Sequence, residues 1–219
     1  MKIALVVDFD GTVTEEDVGV GLLNTFSLED WHLYERLYVS GSISLRDCLA
    51  GEYTTLPADE SMLTQHAVST TAIRKGYHEF VEHCGNQKWP ILIVSGGLDF
   101  YIRAILDNNG LSGQQFVSGH AVFSGRERVL VQWDTEPYSC VKSGTCKCHY
   151  VDRMTAAGYS VVFVGDGITD TCAVDKAAYV FARQRLASYC EENDIKFHHF
   201  NTFFEIQELL SSMANGIKH

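Results

Sequence analysis

Asp8 and Asp10, in the run Asp8-Phe9-Asp10-Gly11-Thr12, are the residues whose types and spacing first suggest chemistry. An aspartate at a strand end can attack phosphorus and carry the phosphoryl group as an aspartyl-phosphate. To stay ionised beside an anionic substrate it needs a cation. A second acid two positions on can return toward the same cleft as the chain leaves the strand. Asp10 could there protonate a leaving oxygen and later activate water. Gly11 permits a tight turn, and Thr12 offers hydroxyl and amide donors to phosphate.

Three further segments could complete such a centre. Ser95-Gly96-Gly97 follows an apolar run, so its hydroxyl and loop amides can hold phosphate oxygens at the start of the next helix. Gly165-Asp166-Gly167-Ile168-Thr169-Asp170 follows another. Its two acids suit magnesium, a hard cation that takes carboxylates, phosphate and waters. Phosphoryl transfer also needs positive charge against the equatorial oxygens. Lys147 opens a helical stretch just before the third apolar run and can reach the same place, with Lys142 as its competitor. Each segment alone reads at least as well as an ordinary turn or surface position; their coincidence at one sheet edge is what carries weight.

The elements that must position these groups are legible in the hydrophobic pattern. Ile3 to Val7, Ile91 to Val94 and Val161 to Val164 are short continuous apolar runs, the signature of strands covered on both faces. Helical patterns lie at about Ala72 to Cys84, Leu98 to Asn109 and Cys148 to Ala157. The alternation indicates an α/β fold, a doubly wound parallel sheet in which ligands bind beyond the carboxyl ends of the strands. Residues 15–71 break the alternation. Their helix-like stretches, Val18 to Phe26, Glu29 to Val39 and Leu45 to Ala50, are punctuated by Gly41, Gly51 and Pro57. They read as a small helical cap inserted over the cleft, with residues 1–14 and 72–219 as the catalytic core. Val117 to Trp133 suggests a hairpin around Ser124-Gly125, and Phe203 to Met213 a closing amphipathic helix.

Bulk properties narrow the function class. The 219 residues are 46% hydrophobic and 21% charged, as in an ordinary globular protein. A net charge of -11 argues against nucleic-acid partners. No stretch reads as a membrane span or a signal peptide. Seven cysteines are an odd number in a chain of this size, which suggests reduced thiols and a cytoplasmic setting. The expected partner is a small phosphorylated metabolite, and the protein a monomer or homodimer.

Taken in order, Asp-Phe-Asp-Gly-Thr, Ser95, Lys147 and Gly-Asp-Gly-x-x-Asp resemble the haloacid dehalogenase superfamily over nearly the whole chain. The resemblance implies Asp8 as nucleophile, Asp10 as general acid and base, and a type 1 helical cap. It implies magnesium on the Asp8 carboxylate, the Asp10 carbonyl and Asp166, with Asp170 as a nearby acid or ligand. Asp10 is the residue that separates phosphatases from dehalogenases in this superfamily. Within it, Asp8 to Thr14, Ser95 to Phe100, Gly144-Thr145-Cys146, Phe181-Ala182-Arg183 and Phe203 to Ile206 are similar to the methionine-salvage phosphatases. These act on 2-hydroxy-3-keto-5-methylthiopentenyl-1-phosphate. Cys146-Lys147 is also similar to phosphocholine and phosphoethanolamine phosphatases, and phosphoserine phosphatases share the framework. Their cap glutamate falls near Asp17; Asp17 and Arg46 are the candidate substrate-facing cap residues. A receiver-like signalling module is the non-enzymatic alternative, against which stand Asp10 and the insert. Transfer of phosphate to a second substrate is the other.

Cys140, Cys146, Cys148 and His149 cluster in sequence, and such side chains can bind zinc. Their spacing fits no standard zinc module, and adjacent Cys148 and His149 strain one tetrahedral site. They read as packing around the lysine segment. His198-His199 reads as a sheet-end or surface pair, and Trp31, Tyr34, Leu37 and Tyr38 as cap core.

Overall fold

A computed structural model describes residues 2–123, 125–133 and 144–214. These form a seven-stranded sheet of order β4-β3-β2-β1-β5-β6-β7. The strands are β1 (Ile3–Val7), β2 (Ile91–Leu98), β3 (Gln115–Val122), β4 (Leu130–Gln132), β5 (Ser160–Gly165), β6 (Tyr179–Ala182) and β7 (His198–His199). All pair in parallel except β3 and β4, which are antiparallel and make the expected hairpin. Ser124 of that hairpin lies outside the described residues, as do Cys140 and Lys142.

β1 shows why the sheet needs two helical layers. Every one of its residues is fully buried. Because successive side chains point to opposite faces, Ile3, Leu5 and Val7 join one apolar cluster and Val6 the other. The first cluster is closed by α5 (Tyr77–Gln87), α6 (Asp99–Asn108) and α10 (Phe203–Ala214). The second is closed by α7 (Lys147–Ala156), α8 (Thr171–Val174) and α9 (Gln184–Glu192). The chain winds outward from β1 in both directions, so the strand order reverses between β1 and β5. That is the crevice where a doubly wound sheet receives ligands.

Between β1 and α5 the chain makes α1 (Val18–Phe26), α2 (His32–Val39), α3 (Leu45–Tyr53) and α4 (Glu60–Thr70). It leaves and returns through an antiparallel neck: the Glu15 amide donates to Ala72 C=O at 2.9 Å and the Arg74 amide to Val13 C=O at 2.8 Å. The helices share the sheet's own apolar cluster, through Val18, Leu22, Leu23, Trp31, Tyr53, Leu56, Leu63 and Ala67. A second attachment ties them to the hairpin, where the Ala58 amide donates to Glu127 C=O and the Val129 amide to Leu56 C=O. Trp31 is buried, while Tyr34, Leu37 and Tyr38 are half-buried.

Several elements differ from the sequence reading. α5 begins at Tyr77, not Ala72, because Ile73 and Arg74 are used in the neck and Gly76 adopts a left-handed φ of 86°. β2 continues past Val94 to Leu98 through a register shift, so Ser95-Gly96-Gly97 lies in an irregular strand end and not in a free loop. α4, α8, β6 and α9 were not expected, whereas β7 falls on the pair that the sequence reads as a sheet end or surface. α4 shows only Leu63 and Ala67 as buried residues, β6 is four residues long, and β7 is an exposed pair, His198-His199.

Candidate active site

The carboxyl ends of β1, β2 and β5 bring Asp8, Asp10, Thr12, Ser95, Lys147, Asp166 and Asp170 together. Asp8 terminates β1, with its amide donating to Val164 C=O of β5 at 2.9 Å. Its carboxylate is almost fully buried, and its Oδ1 lies 2.6 Å from Lys147 Nζ. Lys147 is the first residue of α7 and is wholly buried. Its ammonium also donates to Asp170 Oδ1 and, at 3.2 Å, to the Thr169 hydroxyl.

Asp170 is fully committed. Its Oδ1 takes Lys147, and its Oδ2 accepts the amides of Asp166 and Gly167, each at 2.9 Å. Asp166 instead accepts from the Thr12 hydroxyl through Oδ1 at 2.9 Å. Asp8, Asp166 and Asp170 each place a carboxylate oxygen within 4.8 Å of the others. Lys147 therefore pairs directly with two of three crowded carboxylates. Burial, with Asp170 next in importance, raises Asp8 well above the usual carboxylate range in spite of Lys147. The same two causes push Asp166 up to about 6. Burial alone would lower Lys147, but Asp170 and Asp8 outweigh it and raise its pKa, so it stays charged. An uncompensated cluster of hard oxygens is the environment that fits a magnesium ion. Asp8 and Asp166 are the side chains with capacity left to hold one.

Asp10 faces a different set of partners. Its Oδ2 accepts from the Ser95 hydroxyl at 3.1 Å and the Tyr101 hydroxyl at 3.0 Å, and its Oδ1 accepts the Val18 amide at 3.2 Å. Tyr101 in turn meets Tyr53 of α3, hydroxyl to hydroxyl, at 3.3 Å. Burial, and then the charge of Asp17, pushes the Asp10 carboxyl up to about 7, against the hydrogen bonds from Tyr101 and Ser95. Such a group can both give and take a proton near neutrality.

Two glycines allow this crowding. Gly11 has φ of 70°, and a Cβ there would sit 2.4 Å from Asp166 Oδ2. At Gly97 a Cβ would sit 1.8 Å from the Tyr101 hydroxyl and 2.6 Å from Asp10 Oδ2. The Gly97 amide donates to Ser95 Oγ at 2.9 Å, which aims that hydroxyl at Asp10. Leu49 of α3 approaches Gly96 from the inserted helices. Arg46, one turn before Leu49, is half-buried. Asp17 caps α1, accepting the Val20 amide at 2.8 Å.

Arg74 was not singled out from sequence, yet it fixes the shape of the Asp10 loop. Its guanidinium is 2% exposed. Nε donates to Thr12 C=O at 2.7 Å, and Nη2 to Gly11 C=O at 2.7 Å, Thr14 C=O at 2.8 Å and Glu15 C=O at 3.1 Å. Nη1 pairs with Glu15 at 2.8 Å. Only a planar fork with many donors can gather carbonyls in this way. The replacement Arg74→Lys is expected to lower the unfolding free energy by about 1–3 kcal/mol for each carbonyl left without a donor. Denaturant unfolding measures this, and a loss under about 1 kcal/mol would mean that water replaces the clamp. Tyr101 and Tyr53 were likewise missed. They lie on α6 and α3, and no local pattern distinguishes them from core tyrosines.

Comparison with known proteins follows the same geometry. The family model described as haloacid dehalogenase-like hydrolase matches residues 5–175. A protein of Brevibacillus brevis named 2-hydroxy-3-keto-5-methylthiopentenyl-1-phosphate phosphatase is 31% identical, with 99% of this chain and 98% of that protein covered. One of the same name from Bacillus cereus is 27% identical, with both chains covered in full. Among solved structures, a phospho-aspartyl intermediate analogue of phosphoserine phosphatase shares the fold with a TM-score of 0.67 at 16% identity, covering 95% of this chain and 98% of that one. Cytosolic 5'-nucleotidase IIIB bound to cytidine does so with a TM-score of 0.64 at 19% identity, covering 98% and 86%. By this match along most of its length, the chain belongs to the haloacid dehalogenase-like hydrolase family.

Proposed function

We propose that this protein is a magnesium-dependent phosphomonoesterase that works through an aspartyl-phosphate on Asp8, with 2-hydroxy-3-keto-5-methylthiopentenyl-1-phosphate as its substrate. The observation that carries the reaction class is the pairing of two unlike aspartates. Asp8 lies 2.6 Å from a buried ammonium, while Asp10, two residues on, has a carboxyl poised at about 7.

Asp8 attacks phosphorus as the ester P–O bond breaks, and Asp10 gives its proton to the leaving oxygen. Asp10, now ionised, takes a proton from the water that attacks the aspartyl-phosphate. Asp8 is thereby released and inorganic phosphate is formed. Lys147 holds Asp8 in place and offsets phosphate charge. Thr12 and the Ser95-Gly96-Gly97 segment supply donors around the transferring group. Asp8, Asp166 and the Asp10 carbonyl would hold magnesium, which when bound supplies positive charge against the carboxylates and phosphate oxygens. Asp170 keeps Lys147 and the Asp166 amide in position.

The substrate assignment rests on the whole-length similarity to phosphatases of that name at 27–31% identity. We read residues 15–71 as the cap that completes the pocket. Leu49 offers apolar surface beside Gly96 for a methylthio tail, and Arg46 and Asp17 are the candidate polar groups of the cap. Phosphate release from this ester, phosphoserine and phosphocholine, with magnesium and after chelation, tests the reading. The methylthiopentenyl ester is expected to show the highest kcat/KM, and chelation to stop turnover until magnesium is restored. Preference for phosphoserine or phosphocholine would overturn the substrate, and failure to release phosphate from any ester would overturn the reaction class.

A further inference from the structure

Cys146 and Cys148 flank Lys147, and the fold brings a third thiol to them. Cys146 is the extended residue that precedes α7, Cys148 is the helix's second residue, and Cys172 lies in α8, two residues beyond Asp170. The three Sγ atoms all lie within 4.8 Å of one another, and Cys146 and Cys148 are 3.2 Å apart. We propose that Cys146, Cys148 and Cys172 form a three-thiolate site for a thiophilic divalent metal ion, with zinc as its occupant.

The geometry suits one ion. Zinc binds thiolates at about 2.3 Å, which puts two sulfurs of a tetrahedral site about 3.8 Å apart. To reach that spacing Cys146 and Cys148 part by about 0.6 Å, and the Cys172 sulfur, within 4.8 Å of both, closes onto the same centre. The chemistry suits a soft ion as well: this site offers sulfur, whereas the neighbouring Asp8, Asp166 and Asp170 offer only hard oxygens. Cys146 and Cys148 are buried and Cys172 is half-buried, so Cys172 marks the way in and the place for a water as fourth ligand. Three thiolates and a divalent ion leave one net negative charge. On binding, the thiol protons pass to solvent.

A disulfide between Cys146 and Cys148 would use two of these sulfurs and give no reason for the third to converge on them. The ion uses all three. It also staples the start of α7, which carries Lys147, to the segment just after Asp170, so it holds together the two partners of a buried ion pair. His149 packs against the ring of Tyr150 and is not among these three ligands.

The test is a cobalt titration of the reduced, chelator-treated full chain. One equivalent is expected to produce intense near-ultraviolet thiolate-to-cobalt charge-transfer absorption that zinc abolishes. Oxygen ligands give no such band, so binding at the acidic cluster is not mistaken for it, and Asp8→Asn protein should keep the band. Cys148→Ser and Cys172→Ser should lose it; Cys172→Ser, at the half-buried position, is the variant best able to fold. Cys84→Ser, a buried cysteine on α5, should retain it. Zinc should raise the unfolding midpoint of the parent but not of Cys172→Ser. Absence of charge-transfer absorption, its persistence in Cys172→Ser, or a Cys146–Cys148 disulfide mapped in unreduced protein would overturn the proposal.

Discussion

Asp8→Asn protein is expected to release phosphate at least about 10⁴-fold more slowly than the parent, as when an enzyme loses its nucleophile, yet to unfold at the same or a higher temperature in metal-free buffer. The stability effect has a separate cause from the loss of turnover. Asp8 sits crowded with Asp166 and Asp170, and burial, then Asp170, raise its carboxyl well above the ordinary range. A carboxyl whose pKa is raised on folding binds its proton more tightly in the folded state. Its ionisation therefore removes stability as pH climbs from the unfolded value toward the folded one. Asparagine has the same shape and carries no charge, and its carbonyl can still accept from Lys147. The advantage of the variant should thus be absent near pH 4 and grow toward neutrality. Magnesium should reverse the order, because an ion that binds only the folded state stabilises by its affinity and the parent offers it one more carboxylate. Thermal unfolding with and without magnesium at several pH values, beside a phosphate-release assay, checks all three. Full turnover by Asp8→Asn would sink the mechanism. A lower midpoint without metal would show that the bond to Lys147 outweighs carboxylate crowding.

How much of this was legible in the sequence depends on how local each signal is. β1, β2 and β5 are continuous apolar runs, and the groups at their ends, Asp8, Ser95 and Asp166, are found by reading to where the run stops. Asp10 and Thr12 come with Asp8 because they are its near neighbours. Lys147 was identified only together with a competitor. The fold puts it in the first turn of α7 with Nζ 2.6 Å from Asp8, whereas Lys142 lies outside the described residues. Arg74, Tyr53, Tyr101 and Cys172 gave no such signal. Each acts on a group distant in sequence, as Tyr101 does on Asp10, and its residue type has ordinary uses elsewhere. The inserted helices were visible as a break in the strand–helix alternation. Their sharing of the sheet's apolar cluster and their attachment to the β3–β4 hairpin were not, because both arise from tertiary pairing. α4 escaped notice because its buried stripe is thin, Leu63 and Ala67 among polar neighbours.

Removal of Lys147 should have the largest effect on stability. The side chain is wholly buried between Asp8 and Asp170, with Thr169 as its third partner. Methionine fills a similar volume but leaves both carboxylates without their cation. Breaking a buried ion pair from one side costs about 3–5 kcal/mol, which for a chain of this size lowers the unfolding midpoint by roughly 6–20 °C. Arginine should rescue poorly, since a broad guanidinium fork does not fit a space filled by a compact ammonium. The deficit should also depend on pH. Lys147 has its pKa raised on folding, so its contribution is present throughout the range below the ordinary lysine value. In Lys147→Met protein the Asp8 carboxyl loses the partner that lowered its pKa, so ionising it weakens the fold further as pH rises. The gap from the parent should be smallest in acid, where the carboxyl is neutral in both proteins, and widen as pH rises through the raised Asp8 pKa of the folded parent. Turnover should fall with stability, by about 10²–10³-fold where the variant is still folded, the scale of losing one charge-stabilising donor. A deficit that stayed constant through the pH range in which Asp8 of the folded parent ionises would mean that Lys147 contributes packing and not charge. Were activity also unchanged, the positive group facing the phosphate would have to be another residue.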